Sequence, residues 1–280
     1  MKNAREALEA NAGKIESLSA GRAPFFEPGL DALLLEQVNR GALRFSTDIA
    51  DSAGASVHFV AVGTPQSAEG HAADLRFVDA AITALLPYLA PGDLVVGKST
   101  VPVGTASRLA AQIAEHGSGA RLAWNPEFLR EGYAVADTVT PDRFVYGVER
   151  LADGPDNAPV ALLAEVYATP LAGGTPRIVT DYATAELVKV AANAFLATKI
   201  SFINAMAEIA ETVGADVTEL ADAIGHDVRI GRKFLNAGVG FGGGCLPKDI
   251  RAFAARAEEL GRGDSVGFLR EVDEINLRRR

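Results

Sequence analysis

The chain has 280 residues, of which 27 are Lys or Arg and 36 are Asp or Glu, so its formal net charge is −9. Because a single domain usually has roughly 100–200 residues, this length predicts two domains, each with apolar residues for a core. The acidic balance argues against a nucleic-acid-binding surface, which needs clustered Lys and Arg. No segment approaches the ~18 consecutive apolar residues of a membrane span, and the N-terminus has no apolar signal core. We therefore expect a cytoplasmic protein that binds neither nucleic acid nor membranes.

The first half of the sequence alternates short apolar runs with amphipathic stretches, the pattern of a parallel α/β sheet. Helical spacing of apolar residues predicts helices at 77–89 and 105–115. Ligands of doubly wound sheets bind beyond the carboxyl ends of the strands, here the loops 63–66, 99–104 and 125–132. The predicted strands are 57–62, 94–96, 121–124 and 144–147.

The second half is predicted to be helical. From residue 181 to about 213 the sequence has a 3.6-residue apolar period without Gly or Pro, which predicts one long helix. Further helices are predicted at 216–224, 248–260 and 265–280, with a glycine-rich loop at 225–247.

A G-x-G-x-x-G pattern occurs at Gly238, Gly240 and Gly243 within that loop. A dinucleotide fingerprint must leave a strand and open a helix, and no strand is predicted here. We interpret the glycines instead as a loop that lets the backbone approach a ligand or presents Cys245 to one. Tight-turn packing is the alternative.

Cys245 is the single cysteine, so it acts as a thiol and not in an internal disulfide. It lies next to a predicted helix start that carries Lys248 and Asp249. Free helix N–H groups and a lysine lower a thiol pKa, and an aspartate can orient a water or accept a proton. Equally, both residues fit the first turn of an ordinary helix, where Asp complements the dipole.

Two further pairs of residues lie four apart. Lys189 and Asn193 share one face of the long helix, and the alanines around them leave room for a ligand, although a solvated Lys would fit the same spacing. Glu127 and Glu131 follow a predicted strand and are candidates for acid–base chemistry, with a surface pair as the ordinary alternative.

With these residues in place, the chain resembles the UDP-glucose/GDP-mannose dehydrogenase family from about Glu9 to its C-terminus. The resemblance implies an oxidoreductase of nucleotide-sugar metabolism and polysaccharide biosynthesis. It oxidises the C6 alcohol of a nucleotide-linked hexose to a carboxylate, with two NAD in succession and a covalent thioester. The matching segments are 25–34, 60–65, 97–105, 125–132, 184–209 and 229–253.

UDP-glucose, converted to UDP-glucuronate, is the substrate that the resemblance favours. GDP-mannose and UDP-N-acetylmannosamine are alternatives. The resemblance also implies a homodimer through the long helix, with Arg229 reaching across it, and no metal.

The resemblance also assigns site residues. Catalysis would use Cys245, Lys189, Asn193, Asp249, Glu127 and Thr100. NAD binding would use Thr64, Thr100, Glu131, Lys248 and Glu9. The nucleotide sugar would contact Glu127, Phe128, Leu129, Lys189, Asn193, Arg229, Phe234 and Gly242.

The chain departs from the family pattern at both ends. We expect residues 1–170 to form an incomplete Rossmann-like domain that lacks the first strand and the glycine loop, with residues 1–8 replacing an apolar strand before Glu9. Residues 171–280 would form a helical central and dimerisation domain, and a C-terminal UDP-binding domain would be absent. Two other interpretations stay open: an inactive remnant that dimerises, and a β-hydroxyacid dehydrogenase, which the cysteine loop disfavours.

Overall fold

The computed structural model describes residues 5–68 and 70–280, which divide into two compact units. The sheet unit comprises the described residues up to Gly63, together with Arg76–Ser99 and Gly104–Ala185. The helical unit comprises the described residues of 64–75, together with Thr100–Val103 and Glu186–Arg280. Two short loop segments from the first half of the sequence thus belong to the helical unit.

A mainly parallel sheet forms the centre of the sheet unit. Its order is β3-β4-β5-β6-β9, parallel except for one antiparallel pair between β5 and β6. Separately, β1 and β2 pair in parallel, and β7 and β8 form a small antiparallel pair. The strands are β1 (Arg5–Leu8), β2 (Leu43–Ser46), β3 (Val57–Val60), β4 (Leu94–Gly97), β5 (Arg121–Trp124), β6 (Phe144–Val148), β7 (Arg150–Leu151), β8 (Gly154–Pro155) and β9 (Arg177–Asp181).

Amphipathic helices cover this sheet. Apolar residues at helical spacing, such as Val78, Ile82 and Leu85, are buried because they lie on one face of their helix. The helices of the sheet unit are α1 (Ala12–Ser19), α2 (Leu30–Asn39), α3 (Arg76–Leu85), α4 (Thr105–His116), α5 (Ala134–Val139), α6 (Asn157–Val166) and α7 (Ala168–Ala172), of which α1 and α2 contact β2.

The core of the sheet unit consists of buried side chains on both faces of the central strands. All of β4 is buried, as expected for a parallel strand covered by helices on both sides. The ring of Trp124 occupies the space where a Cβ of Gly97 would lie, so glycine is required at the end of β4. The core side chains are Leu94, Val96, Ala123, Phe144, Tyr146, Val148, Val160 and Leu163.

Most of the helical unit is built along α8 (Tyr182–Val213), which is followed by α9 (Val217–Gly225), α10 (Leu246–Glu259) and α11 (Phe268–Arg279). An apolar cluster joins α8, α10 and α11. By length and composition α8 could cross a membrane, although 44% of its most apolar window is buried and core helices meet the same criteria. The side chains of the apolar cluster are Ala194, Ala197, Phe241, Ile250, Leu269 and Val272.

The predicted fold class, an α/β sheet domain followed by a helical region, is confirmed. The helix predicted at 77–89 ends at Leu85, where Pro87 favours a 3-10 turn. The helix predicted from 265 begins at Phe268 after a 3-10 turn. The expectation that residues 1–8 replace a strand is wrong for Arg5–Leu8, which form β1, while 1–4 lie outside the described residues.

Candidate active site

Helix α8 places Lys189 and Asn193 one turn apart. Both side chains are buried, with 6% and 8% of their surface exposed. The solvated lysine that the sequence left open is therefore not found. Glu186 is also buried, three residues before Lys189, and the sequence analysis did not single it out.

Asp249 lies in the first turn of α10, is 3% exposed and is held by α8. The Nδ2 atom of Asn193 donates to its Oδ2 at 2.6 Å. The Nζ atom of Lys248 approaches its Oδ1 at 2.7 Å, an ion pair without hydrogen-bond geometry. Among the described residues this buried oxygen has no hydrogen-bond donor, so it can accept a bond from a water or a ligand.

Cys245 occupies the N-cap position of α10 and is exposed. Its carbonyl oxygen accepts a hydrogen bond from the backbone N–H of Asp249 at 2.9 Å, which starts the helix. Free N–H groups at a helix N-terminus favour negative charge in general, and here the side chain of Cys245 makes no capping hydrogen bond to them. Lys248 and Asp249 are first-turn residues of this helix, as the ordinary interpretation predicted. Their catalytic interpretation stays a prediction.

The glycine pattern lies in an irregular segment between α9 and α10 that no strand precedes. The prediction that it is not the first loop of a Rossmann sheet is consistent with this context. Gly240 and Gly243 have φ of +84° and +73°, in the left-handed region that favours glycine.

Thr64, Thr100 and Lys248 come together in the helical unit. The Thr64 hydroxyl donates to the carbonyl oxygen of Thr100 at 2.8 Å, and Nζ of Lys248 lies 3.5 Å from that hydroxyl. A small pocket, partly open to solvent, adjoins them. It is lined by Ala73, Thr100, Val101, Pro102, Val103, Val190, Lys248, Asp249, Ala252, Phe253 and Arg256.

Four predicted site residues lie in the loop after β5 in the sheet unit. The carboxylate of Glu127 accepts from the backbone N–H of Leu129 at 2.6 Å, and the guanidinium of Arg143 lies 3.8 Å from the ring centre of Phe128. Leu129 and Glu131 are exposed. Because this segment is not helical, the four-residue spacing does not place Glu127 and Glu131 on one helix face.

Glu27 is a buried carboxylate that the sequence analysis missed. Its two oxygens accept from the backbone N–H groups of Gly132 and Ala134 at 2.9 and 2.8 Å, and so tie the loop after β5 to a segment 105 residues earlier. Glu27 lies within the segment 25–34 that carries the family resemblance, which was the one available signal.

Glu9 follows β1 and already has partners. The backbone N–H of Asn11, and secondly the ammonium of Lys14, lower the pKa of this carboxyl. It is therefore ionised, but a ribose hydroxyl would have to share it with Lys14, whose Nζ lies 3.2 Å away.

The remaining predicted substrate residues lie between α9 and α10. Arg229 is exposed and paired with Asp227 at 2.6 Å, and the carboxylate raises the pKa of the guanidinium. Phe234, with φ of +66°, is the one non-glycine residue of positive φ among the described residues. Gly242 is exposed.

Comparisons with known proteins assign the chain to a family. Residues 7–170 match the NAD binding domain of the UDP-glucose/GDP-mannose dehydrogenase family, and residues 183–278 match its central domain. The chain belongs to this family. The family resemblance read from the sequence is thereby confirmed.

Individual relatives agree with this assignment. A UDP-glucose 6-dehydrogenase of Rhizobium meliloti is 45% identical over 256 residues, which are 90% of this chain and 57% of the relative. A solved UDP-glucose dehydrogenase of Pyrobaculum islandicum has a TM-score of 0.87 at 38% identity, over 97% of this chain and 62% of that one. A UDP-D-ManNAc dehydrogenase of Pyrococcus horikoshii has a TM-score of 0.84 at 26% identity, over 98% and 62%. The chain thus spans less than two thirds of the length of these relatives.

The cofactor of this family domain is NAD. The pocket beside Thr64, Thr100 and Lys248 fits it in chemistry, because hydroxyl groups and an ammonium suit the polyol and anionic groups of a dinucleotide, while Val101, Pro102 and Phe253 supply an apolar wall. Across the described residues, no three His, Cys, Asp or Glu side chains are grouped to hold a metal ion.

Proposed function

We propose that this protein takes part in the NAD-dependent oxidation of UDP-glucose to UDP-glucuronate through a thioester on Cys245. The observation that carries the proposal is the buried Asn193–Asp249 pair. It holds a carboxylate four residues after the thiol, at the start of the same helix, and one oxygen of this carboxylate is ion-paired with Lys248 but accepts no hydrogen bond from the described residues. Lys189 lies one turn from Asn193 on α8.

The proposed reaction uses the chain's own side chains as follows. Lys189 and Asn193 hold the C6 oxygen and stabilise the charge that develops on it. The sulfur of Cys245 attacks the aldehyde carbon of the first oxidation and forms a thiohemiacetal, and the second oxidation converts this adduct into a thioester. Asp249 accepts a proton from the water that attacks the thioester carbon, which releases the carboxylate and returns the thiol. NAD, when bound, supplies the acceptor for the hydride that leaves C6 in each oxidation.

Thr64, Thr100 and Lys248 would hold NAD in the pocket of the helical unit. Glu131 and Glu9 of the sheet unit are proposed as NAD-binding residues because they match such positions in the family. Glu127, Phe128 and Leu129 would contact the sugar, together with Arg229, Phe234 and Gly242. These assignments rest on matching positions in the family. The contacts among Thr64, Thr100 and Lys248 support the NAD assignment of those three residues.

The choice of UDP-glucose rests on the 45% sequence identity to relatives named UDP-glucose 6-dehydrogenase. UDP-N-acetylmannosamine and GDP-mannose remain the competing substrates, because family members that carry those names share the fold. The domain organisation predicted from the sequence, with a boundary near residue 170, also remains a proposal.

A dimerising module is the second candidate function, and one observation favours it. Apolar side chains stay exposed along α8 at Leu187, Phe195, Phe202 and Ile209, by 40 to 66%. Because these positions recur every seven or eight residues, they lie along one face of the helix. We propose that this face pairs with a second copy of the chain. Sedimentation equilibrium measures the mass of the particle in solution and so tests this pairing directly.

The purified protein should be incubated with NAD and, in separate reactions, UDP-glucose, UDP-N-acetylmannosamine and GDP-mannose. Any oxidation of UDP-glucose is expected to give two NADH per UDP-glucuronate. Cys245→Ala should abolish the carboxylate product, and Cys245→Ser should accumulate an ester that intact-mass measurement detects. Gly244→Ser is the matched control, because a Cβ at Gly244 meets nothing within 4 Å.

Each outcome discriminates between the candidates. Faster oxidation of another nucleotide sugar would overturn the proposal that UDP-glucose is the substrate. Normal turnover by Cys245→Ala would exclude the covalent mechanism. A folded dimer without NADH or adduct formation from any sugar would leave the dimerising module as the better description.

A further inference from the structure

The backbone of the glycine loop is held by two buried asparagines from other helices. Asn276 of α11 is 1% exposed, and its carboxamide pairs with Phe241, whose N–H donates to Oδ1 at 2.7 Å and whose carbonyl accepts from Nδ2 at 3.0 Å. Asn204 of α8 is fully buried, and its Oδ1 accepts from the N–H of Gly238 at 2.9 Å. The bonds to Phe241 satisfy backbone groups of a buried residue, and the bond from Gly238 ties an exposed part of the loop to α8.

Phe241 is the fixed point of this loop. Its ring is 5% exposed and packs in the cluster of α8, α10 and α11, so side chain and backbone are both held. The fit is close, because a Cβ on Gly240 would collide with Oδ1 of Asn276, and Gly240 itself has φ of +84°. The glycine and the asparagine therefore form one matched contact.

Only three exposed glycines, residues 242–244, separate this fixed point from Cys245. On its other side Cys245 is fixed by helix α10, whose Pro247 is buried. If the Asn276 contact were lost, the segment between Cys245 and the preceding hydrogen-bonded backbone group would lengthen toward Gly238, and the N-cap residue of α10 would be less restrained.

We propose that Asn276 is a positioning residue for Cys245, acting through Phe241 and the glycine loop. The contact keeps the thiol at the N-terminus of α10, where the free N–H groups of the helix favour the thiolate. Its importance for catalysis rests on the proposed function, but its effect on the thiol does not.

The test measures the reactivity of the thiol, which is unambiguous because the chain has one cysteine. Two variants break the contact from opposite sides: Asn276→Asp places an oxygen against the carbonyl of Phe241, and Gly240→Ala introduces the colliding Cβ. Gly238→Ala is the matched control, because its Cβ meets nothing within 4 Å. The readouts are the alkylation rate constant of Cys245 with iodoacetamide from about pH 6 to about pH 9, amide exchange of residues 238–245, and the unfolding temperature.

We expect both contact variants to exchange the Phe241 amide at least about tenfold faster and to lose at least about threefold in the alkylation rate at neutral pH, while unfolding stays cooperative. Gly238→Ala should match the parent. Unchanged alkylation in both variants, whether or not exchange accelerates, would overturn the proposal, as would an equal loss in Gly238→Ala. If Asn276→Asp does not fold, Gly240→Ala decides alone. Failure of NADH production would refute the proposed function but leave these rate constants interpretable.

Discussion

The bond from Glu27 to the loop after β5 predicts a local loss of stability when one of its oxygens is replaced. In Glu27→Gln the side-chain shape is kept, but an NH2 group faces either the N–H of Gly132 or that of Ala134. One charge-assisted hydrogen bond is lost and a buried donor is left unpaired. A hydrogen bond to a charged group contributes about 1.5–3 kcal/mol, so we expect destabilisation of about 2–3 kcal/mol.

The consequence should be local, because the loop of residues 125–133 carries predicted ligand contacts and has no regular structure to hold it. Two to three kcal/mol corresponds to opening that is about 30- to 150-fold more frequent. Amide exchange at Gly132 and Ala134, followed by mass spectrometry, measures this factor, and urea unfolding measures the effect on the whole unit.

The matched control is Glu36→Gln, the same change at an exposed glutamate paired with Arg40 on α2. An exposed pair of this kind contributes little, so we expect a change within about 0.5 kcal/mol. If Glu27→Gln and Glu36→Gln unfold at the same urea concentration and exchange of the loop amides is unchanged, the carboxylate does not hold the loop, and the reasoning is refuted.

Two further predictions concern the core of the sheet unit. Gly97→Ala should lower the free energy of unfolding by at least about 1–3 kcal/mol, because its Cβ collides with Trp124. Gly63→Ala is the control, because a Cβ there meets nothing within 4 Å, and its free energy of unfolding should be within about 1 kcal/mol of the parent protein's. Equal urea unfolding curves for the two variants would contradict this prediction. Burial raises the pKa of Tyr146 to about 12, above the ordinary value near 10, so its contribution to stability is complete below about pH 10 and is lost as the pH rises toward 12. Tyr146→Phe should therefore reduce the alkaline loss of stability. An unchanged pH profile would show that the pKa of this hydroxyl is the same in the folded and unfolded chain, and would refute the shift caused by burial.

Local periodicity in the sequence determined much of the fold. The strands at 57, 94, 121 and 144 begin where they were predicted, and α8 occupies almost all of the predicted range. In each case the signal is an apolar run or a 3.6-residue period, which depends on neighbours within a few turns. The spacing of Lys189 and Asn193 was sufficient for the same reason, since one helix carries both residues.

Strand β1 shows where that signal fails. Its sequence, Arg-Glu-Ala-Leu, has no apolar run, because the strand pairs only with β2 and its side chains are largely exposed. Hydrogen bonding to a segment almost 40 residues later, and not burial, makes it a strand. No pattern in eight residues could have indicated this partner.

The contacts that build the candidate site were decided by tertiary structure alone. Asn193 and Asp249 are 56 residues apart, Thr64 and Lys248 are 184 apart, and Glu27 and Gly132 are 105 apart. Sequence fixes the chemical type of these side chains, but the packing of helices and strands fixes which of them meet. A buried carboxylate such as Glu27 has no periodic signature, because its burial depends on two backbone N–H groups that reach it only after the chain has folded.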